Sequence, residues 1–595
     1  MIVVDDWHAS APEGVRQAIQ AGQSSEAWLA WGTYLAQKSR PPVLDDVVES
    51  RQSWLLWALP DGIDDRYLRS LLRQIAELDS NGSATARKKR ESRLALSLLA
   101  WTATWRPDSA CDEKFACETL AWCYTLPRLA AFFSAATWWG LLDFLLNAIH
   151  GATANAARIS PLVHQWLAGE AALALACLFP EIVRCRELGS KARGVLSAGL
   201  IDILDGEGLP HSRNLGILRP LLACWTRCRA VSSEAPDGCF TEAAGNQYEW
   251  LVRNALRWSR PDGAQILTPG SAGAWCEDLF QAALRLGGDD DDRDIAALVL
   301  PRPKRGAAQR VANMALPEAA THSQWAAAAI LRAGWSRRDP QFSLVYPDGL
   351  VRAELRCGCE ILFSGNWDLE IRRDGEPVRT SAGWQDVCWI SDESADYLEL
   401  EKDLGDGLRI QRHALLARED HFLILADGVV GDRPAKLEYR STLPLAAQIS
   451  FRPAEETHDG LLAGKKPLAL VLPLALPEWR SDPRPGTLKQ TPAGLELRQQ
   501  TSGRSLWAPL FFDLQPGRLG KPFTWRHLTV AENLVTQPAD LAVGYRVTIG
   551  KDQWLLYHSL GPTGNRTLLG HNLVSQTLVA RFGRDGEIEP VVEIE

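Results

Sequence analysis

The sequence predicts a chain in two parts, an incomplete α/α toroid of helix hairpins followed by a large antiparallel β-sandwich. Three observations carry that expectation. The 595 residues exceed what one hydrophobic core usually organises, so two or more domains are expected. Apolar residues recur at helical spacing from the start to about residue 287. After residue 326 the period falls to two, and Gly, Asp and Pro turns separate the runs.

In RLALSLLAWTATW, Leu94, Leu98, Trp101 and Trp105 step by four, three and four, which puts them on one helix face. Comparable helices are predicted near 25–37, 45–58, 64–78, 112–125, 127–149, 160–178, 181–204, 212–228, 245–258 and 272–286. RPPV, LPDG, RPDSA, ELGS and RPDG break them, because Pro lacks a donor and Gly and Asp favour turns. Helices of this number with short connections imply stacked antiparallel pairs. No fixed sequence period supports a repeat array.

GGDDDDRD reads as a solvated acidic turn and PRPKRGAAQR as a crossing segment, which sets the expected domains at 1–320 and 321–595. Beyond them RAELRCGCEILFSG, LRIQRHALLA, HFLILADGV, LEYRSTLPL, GLELRQQ, WAPLFFDLQ and AVGYRVTIGKDQWLLYHSL alternate or run apolar. IGKDQW and FGRDGEI are hairpin signals. Strands without intervening helices imply an antiparallel sandwich.

Composition narrows the function. Hydrophobic residues at 46% and charged ones at 23% fit a globular protein. A net charge of −9 argues against nucleic acid as partner. Of 24 Trp, fifteen precede residue 320; indoles fill cores and also stack on sugar rings. Twelve Cys form no CxxC pair, and Cys224/Cys228 and Cys357/Cys359 read as buried thiols, so no metal and no cofactor are expected. The opening MIVVDDWHASAPEG lacks a basic n-region and an apolar h-region, and no apolar run reaches the ~18 residues of a membrane span. A reducing, cytoplasmic location without membrane contact is the expectation. On that view the Asn565-Arg566-Thr567 sequon is a chance match.

The stretch SPLVHQWLAGEAALALACLFPE, 160–181, reads as a buried helix with one imidazole near its start. Ser160 and Pro161 suit an N-cap and first position, and the dipole there favours a neutral His164. Trp166 is open to two readings, packing or sugar platform. In GLPHSRN, His211, Arg213 and Asn214 place an imidazole, a guanidinium and an amide within four residues. Arg suits a carboxylate through parallel N–H donors; the plainer reading has His211 and Ser212 capping the next helix. Tyr248 is an acid/base candidate, although Leu251, Val252 and Ala255 at helical spacing favour a core position. Glu249, Arg253, Arg257 and Arg260 form a neighbouring stripe that reads as a solvated face. His413 follows Arg412 on a predicted strand and is the candidate imidazole of the second half. Arg526, His527, His558, Asn565, Arg566, His571 and Asn572 concentrate in two loop regions that read as docking or sugar contacts.

Four stretches in order, LFPE at 178–181, ILDGEGLPHS at 203–212, AAILRAGWSRRD leading into VRAELRCGCEILFSGNW, and LRIQRHALLAREDHFLILADGVVG, resemble the heparinase II/III-like family of polysaccharide lyases. The resemblance implies a toroid joined to a sandwich and β-elimination on a uronic-acid polysaccharide or oligosaccharide. It also implies an Asn or His on the toroid that neutralises the uronate, with a toroid Tyr and a sandwich His moving protons. His164 matches the toroid motif, with Leu162 and Val163 where the family has amides. Leu215 stands where the Tyr is expected, and SRRDPQFSLVYPDG lacks the histidines that open the family's sandwich. The resulting expectation makes His164, His211 and His413 catalytic, reaching one trough from both halves. Arg213, Asn214, Trp166 and Tyr248 are then substrate contacts. Two alternatives stay open: a catalytically silent fold that binds glycan or a protein, and a toroid glycoside hydrolase using Asp202 and Asp205 or Glu277 and Asp278.

Overall fold

The computed structural model describes residues 6–38, 53–79, 83–104, 111–301, 316–583 and 586–595. Contacts divide the chain into two units, Met1–Val311 and Ala312–Glu595. The RPPV and RPDSA breakers, positions 45–52 of the helix expected at 45–58, Trp105, and PRPKRGAAQR beyond Pro301 lie outside the described residues. Of the 45–58 expectation, what is described is a short 3-10 turn, Trp54–Leu56.

In the first unit, six of the described helices begin at an Asp, Ser or Thr that caps them. Asp64, Asp112, Ser134, Ser160, Thr241 and Asp289 each accept a first-turn backbone N–H. Those amides have no partner inside the helix, so a side-chain oxygen there stabilises the start. The helix from Pro161 to Leu178 is the centre of the unit. It packs against Glu113–Leu129, Ala135–Ala154, Leu188–Asp202 and Leu218–Val231. At 18 residues it is apolar and long enough to cross a membrane by composition, contrary to the expectation that no such run exists, and 78% of it is buried among its neighbours.

Gln165–Ala171 within this helix is a π-helical stretch, and all seven residues are buried. Its two polar side chains are both satisfied. Gln165 donates to the Val195 carbonyl at 3.1 Å and accepts from the Trp225 indole at 2.9 Å. Glu170 takes two bonds from the Arg227 guanidinium, at 2.6 and 2.9 Å, and one from Tyr124 at 3.0 Å. Arg227 also donates to the Trp54 carbonyl at 3.3 Å. Gly199 permits the approach, since a Cβ there would lie 2.3 Å from the Gln165 amide.

The second unit stacks sheets on both faces of one large sheet. Antiparallel strands Thr321–Ser323, Ala328–Arg332, Gln341–Val345, Arg352–Cys357 and Glu360–Asn366 form the first sheet, in chain order. The large sheet centres on two long strands, Phe422–Leu443 and Gly494–Asp513, paired along most of their length. A third sheet holds Phe523–Leu528, Ala542–Ile549, Asp552–Ser559, Thr577–Phe582 and Ile588–Ile594. Leu423, Leu425 and Phe512 face one core with the first sheet's Phe342 and Leu355, while Phe422, Ile424 and Phe511 face another with Trp554 and Val547. Covering on both faces explains why HFLILADGV and WAPLFFDLQ run apolar instead of alternating. Of the two hairpin signals, IGKDQW turns between Ala542–Ile549 and Asp552–Ser559; Arg584 and Asp585 of the other lie outside the described residues.

A buried pair broken on one side leaves an uncompensated charge. Arg227→Met is therefore expected to lower unfolding stability by ~3–5 kcal/mol, and Glu170→Met/Arg227→Met by clearly less. Urea titration of the three proteins measures the difference.

Candidate functional site

One end of the helical unit carries His164, His211, Arg213 and Asn214 of the residues that the sequence singled out. Cys224 lies against the Gln165 carbonyl and Arg227 bonds Glu170, so Leu218–Val231 runs parallel to Pro161–Leu178. Leu188–Asp202 forms the antiparallel hairpin between them. Its C-terminus, the loop 203–217 and the start of the 161–178 helix therefore share one end of the unit.

Ser160 caps that start by accepting from Val163 N–H at 3.3 Å, with Pro161 in the first turn. His164 follows, half-buried. Burial holds its imidazole below the ordinary range, so the ring is uncharged near neutral pH. Its ring nitrogens bond no described residue. A half-exposed imidazole left available in this way can accept or donate one proton.

The loop is built around Asp205, whose Oδ1 accepts from the amides of Glu207 and Leu209 at 2.8 and 2.9 Å. Gly208 takes φ +79°, and a Cβ there would meet Leu251 N at 2.4 Å. The position thus needs glycine on both counts. His211 Nδ1 accepts from the Arg213 amide at 3.2 Å and caps the 3-10 turn Ser212–Ile217. An accepting Nδ1 places the neutral ring's proton on Nε2. Arg213 is exposed and Asn214 half-buried. Leu215 is buried, and its carbonyl takes Gln265 Nε2 at 2.7 Å.

Three expected site residues are core residues instead. Trp166 keeps 2% exposure and Tyr248 none. Tyr248 bonds Thr226 at 2.9 Å and lies under the Arg229 guanidinium, as its apolar neighbours foretold. His413, 4% exposed, sits on a strand of the large sheet that is covered on both faces. Its Nδ1 meets the Tyr397 hydroxyl at 2.8 Å, and its ring lies 5.0 Å from that of His558, which stacks on Trp507. Burial of Trp166, Tyr248 and His413 places all three side chains in the core, where the expectation had them facing substrate. The other polar clusters of this unit bond internally. Arg566 is buried against Tyr557 and Ser559, His571 bonds the Gly586 carbonyl, and Arg526 pairs Glu478.

Two groups escaped the sequence reading. Glu118, 6% exposed, lies on the helix that packs against the first turn 161–164. Burial, opposed by Lys114, pushes its carboxyl up to about 7, so it carries a proton close to neutrality. The signal was a lone acid within FACETLAWC. In the second unit, His322 on the edge strand Thr321–Ser323 bonds the Tyr346 hydroxyl at 3.1 Å, lies 3.6 Å from Asp386 and stacks on Trp389. Burial lowers its pKa, with Asp386 opposing. Only the three-residue strand THS marks it, too short for a pattern.

Among the described residues, Glu170, Cys224 and Cys228 could hold a metal ion by proximity. The Arg227 charge already occupies Glu170, and burial raises both thiols toward the protonated form. A cation would have to displace a guanidinium, so the trio does not suit one.

No family model and no curated protein matches the sequence. Solved structures do match. The chain resembles a heparinase III gene product at a TM-score of 0.65 and 11% identity, over 93% of this chain and 99% of that one. It resembles heparan sulfate lyase HepC from Pedobacter heparinus at 0.59 and 13%, over 94% and 99%. A further heparinase III structure gives 0.57 and 11%, over 94% and 100%. The fold is that of a polysaccharide lyase, an α/α toroid followed by a β-sandwich. More narrowly, it is a divergent form of the heparinase III fold.

The buried imidazoles make stability depend on pH. Burial holds His413 below its ordinary 6.5, and His558 well below it, where His413 adds to the effect. The unfolded chain takes up protons below that value while the folded one does not. Unfolding free energy is therefore full above 6.5 and falls as the pH drops below it. Urea titrations at about pH 7.5 and about pH 5.5 measure the drop, which is expected to be shallower in His558→Gln.

Proposed function

We propose that the protein acts on uronic-acid-containing oligosaccharides by β-elimination. The fold likeness to heparinase III and heparan sulfate lyase structures, which extends over 93–94% of the chain, supports the substrate class, and one observation supports the chemistry. His164 is uncharged, half-buried and without a hydrogen-bond partner among the described residues, at the same end of the helical unit as a loop carrying a guanidinium, an amide and a second imidazole.

Elimination removes the proton α to the uronate carboxylate and expels the glycosidic oxygen from the next carbon. Arg213 binds the carboxylate through two donors and so stabilises the charge that builds up as the α proton leaves. Asn214 adds a donor. Neutral His164 accepts the proton, which needs no prior deprotonation at neutral pH. His211, with its proton on Nε2, supplies one to the departing oxygen. Glu118 lies too deep for contact and is read as part of the packing beneath the first turn. The twelve free thiols suit a reducing, cytoplasmic setting, and imported oligosaccharides are then the natural substrates.

Leu215, buried where the resemblance placed a tyrosine, favours the second reading, a lyase fold that binds glycan without cleaving it. The hydrolase reading loses one of its carboxylates, because Asp205 is engaged by the loop's own amides.

The test is ultraviolet absorbance of the unsaturated uronate in mixtures with heparan, chondroitin, alginate and ulvan oligosaccharides. The elimination reading expects absorbance with at least one, its loss in His164→Ala, and a rate reduced about 100-fold or more in Arg213→Ala. A flat trace with folded protein throughout selects binding without cleavage, and new reducing ends without absorbance select hydrolysis.

A further inference from the structure

The helix Glu242–Arg257 exposes a tryptophan that core packing does not use. Tyr248, Leu251, Val252 and Ala255 are buried on one side of it. Asn246, Glu249, Trp250 and Arg253 follow at helical spacing on another face, and Trp250 keeps 40% exposure. Those four line a cavity of about 450 Å³ whose other wall is the turn from Arg285 to Asp289. Gly287 and Gly288 keep that wall low, and a Cβ on Gly287 would strike the Tyr248 ring at 2.4 Å.

The indole is held in place. Arg253 lies 5.5 Å from its centroid and is itself fixed by Asp289 at 2.6 Å and Asp292 at 2.8 Å. The backbone beneath is pinned by the loop before it: Gln247 donates to the Gly206 carbonyl at 3.1 Å, Asn254 donates to Glu207, and Gly208 packs on the Trp250 backbone. By contrast, the side chains of Asn246, Glu249 and Arg285 make no hydrogen bond or ion pair with another described residue. An aromatic face fixed in position beside an amide, a carboxylate and a guanidinium left available is the arrangement that receives a sugar ring. The indole stacks on the ring's C–H face, and the planar groups bond neighbouring hydroxyls. Glu249, Asp289 and Asp292 against Arg253 and Arg285 leave the lining one charge negative. That balance disfavours phosphate, sulfate and uronate.

We propose that this cavity is a second saccharide site, binding an uncharged pyranose residue stacked on Trp250 and hydrogen-bonded by Asn246, Glu249 and Arg285. It shares no lining residue with the His164 turn or the loop 203–217, and it requires no elimination chemistry, so it stands whether or not the chain cleaves glycan.

Saturation-transfer NMR and calorimetry of the full chain test it with N,N′-diacetylchitobiose, cellotriose and maltotriose, and with a heparan sulfate tetrasaccharide as the charged contrast. The proposal expects at least one neutral probe to bind, with affinity lost about tenfold or more in Trp250→Ala and weakened in Arg285→Ala and Glu249→Gln. Unchanged melting temperatures in the two polar variants separate lost contacts from lost folding. The proposal is overturned if no neutral probe binds, if Trp250→Ala and Arg285→Ala bind as the parent does, or if the heparan tetrasaccharide displaces the neutral probe from this cavity.

Discussion

Two polar side chains inside the helical unit, Gln165 and Glu170, constrain everything built on it. Both lie in a π-helical stretch with no exposed residue, and a buried amide or carboxylate is tolerated only when its partners are in place. Those partners are spread over three other helices: Tyr124 on one, Val195 on the next, Trp225 and Arg227 on a third. A slip of one residue in any of them would leave a buried group unsatisfied. The network thus sets helix register where Leu and Ala packing alone would accept several alignments. A π turn is itself uncommon inside a helix and is frequent near functional sites.

Register at that depth has a consequence at the surface. The loop 203–217 hangs between the two helices that Gln165 holds, so its height relative to His164 follows from the buried bonds. Within the loop, Asp205 and Gly208 turn the chain and His211 caps the next segment, leaving Arg213 outward. The chemistry proposed here needs no mobile part: an uncharged imidazole on a helix start and a guanidinium on a short turn. The Trp250 cavity uses the same loop differently. Its residues Gly206–Gly208 brace the helix that carries the indole, so one loop supports two surfaces.

The fold was legible because it rests on periodicity. Leu94, Leu98 and Trp101 are buried on one helix face, as their spacing requires. The sandwich was legible from its turns, although period-two alternation failed in the long central strands, where sheets cover both faces. Site residues were harder to read, because burial is a tertiary property. His413 and Trp166 look no different in sequence from exposed residues of their type; the third sheet encloses the first and neighbouring helices the second. Tyr248 was legible, since its neighbours at helical spacing are apolar. Glu118 was not, because its raised carboxyl depends on enclosure by separate segments. His322 escaped because its strand is too short to show a period and its partners Tyr346 and Asp386 are distant in sequence.

The proposed elimination requires acidic glycan to meet the helical unit at the end where the 161–178 helix begins. Hydrogen–deuterium exchange with and without a saturating heparan sulfate hexasaccharide tests it without depending on turnover. Slowed exchange at the amides of 162–164 and 207–217, with the Trp250 helix unchanged, is the predicted result. Binding that protects other segments and leaves those two at their free rates would contradict it.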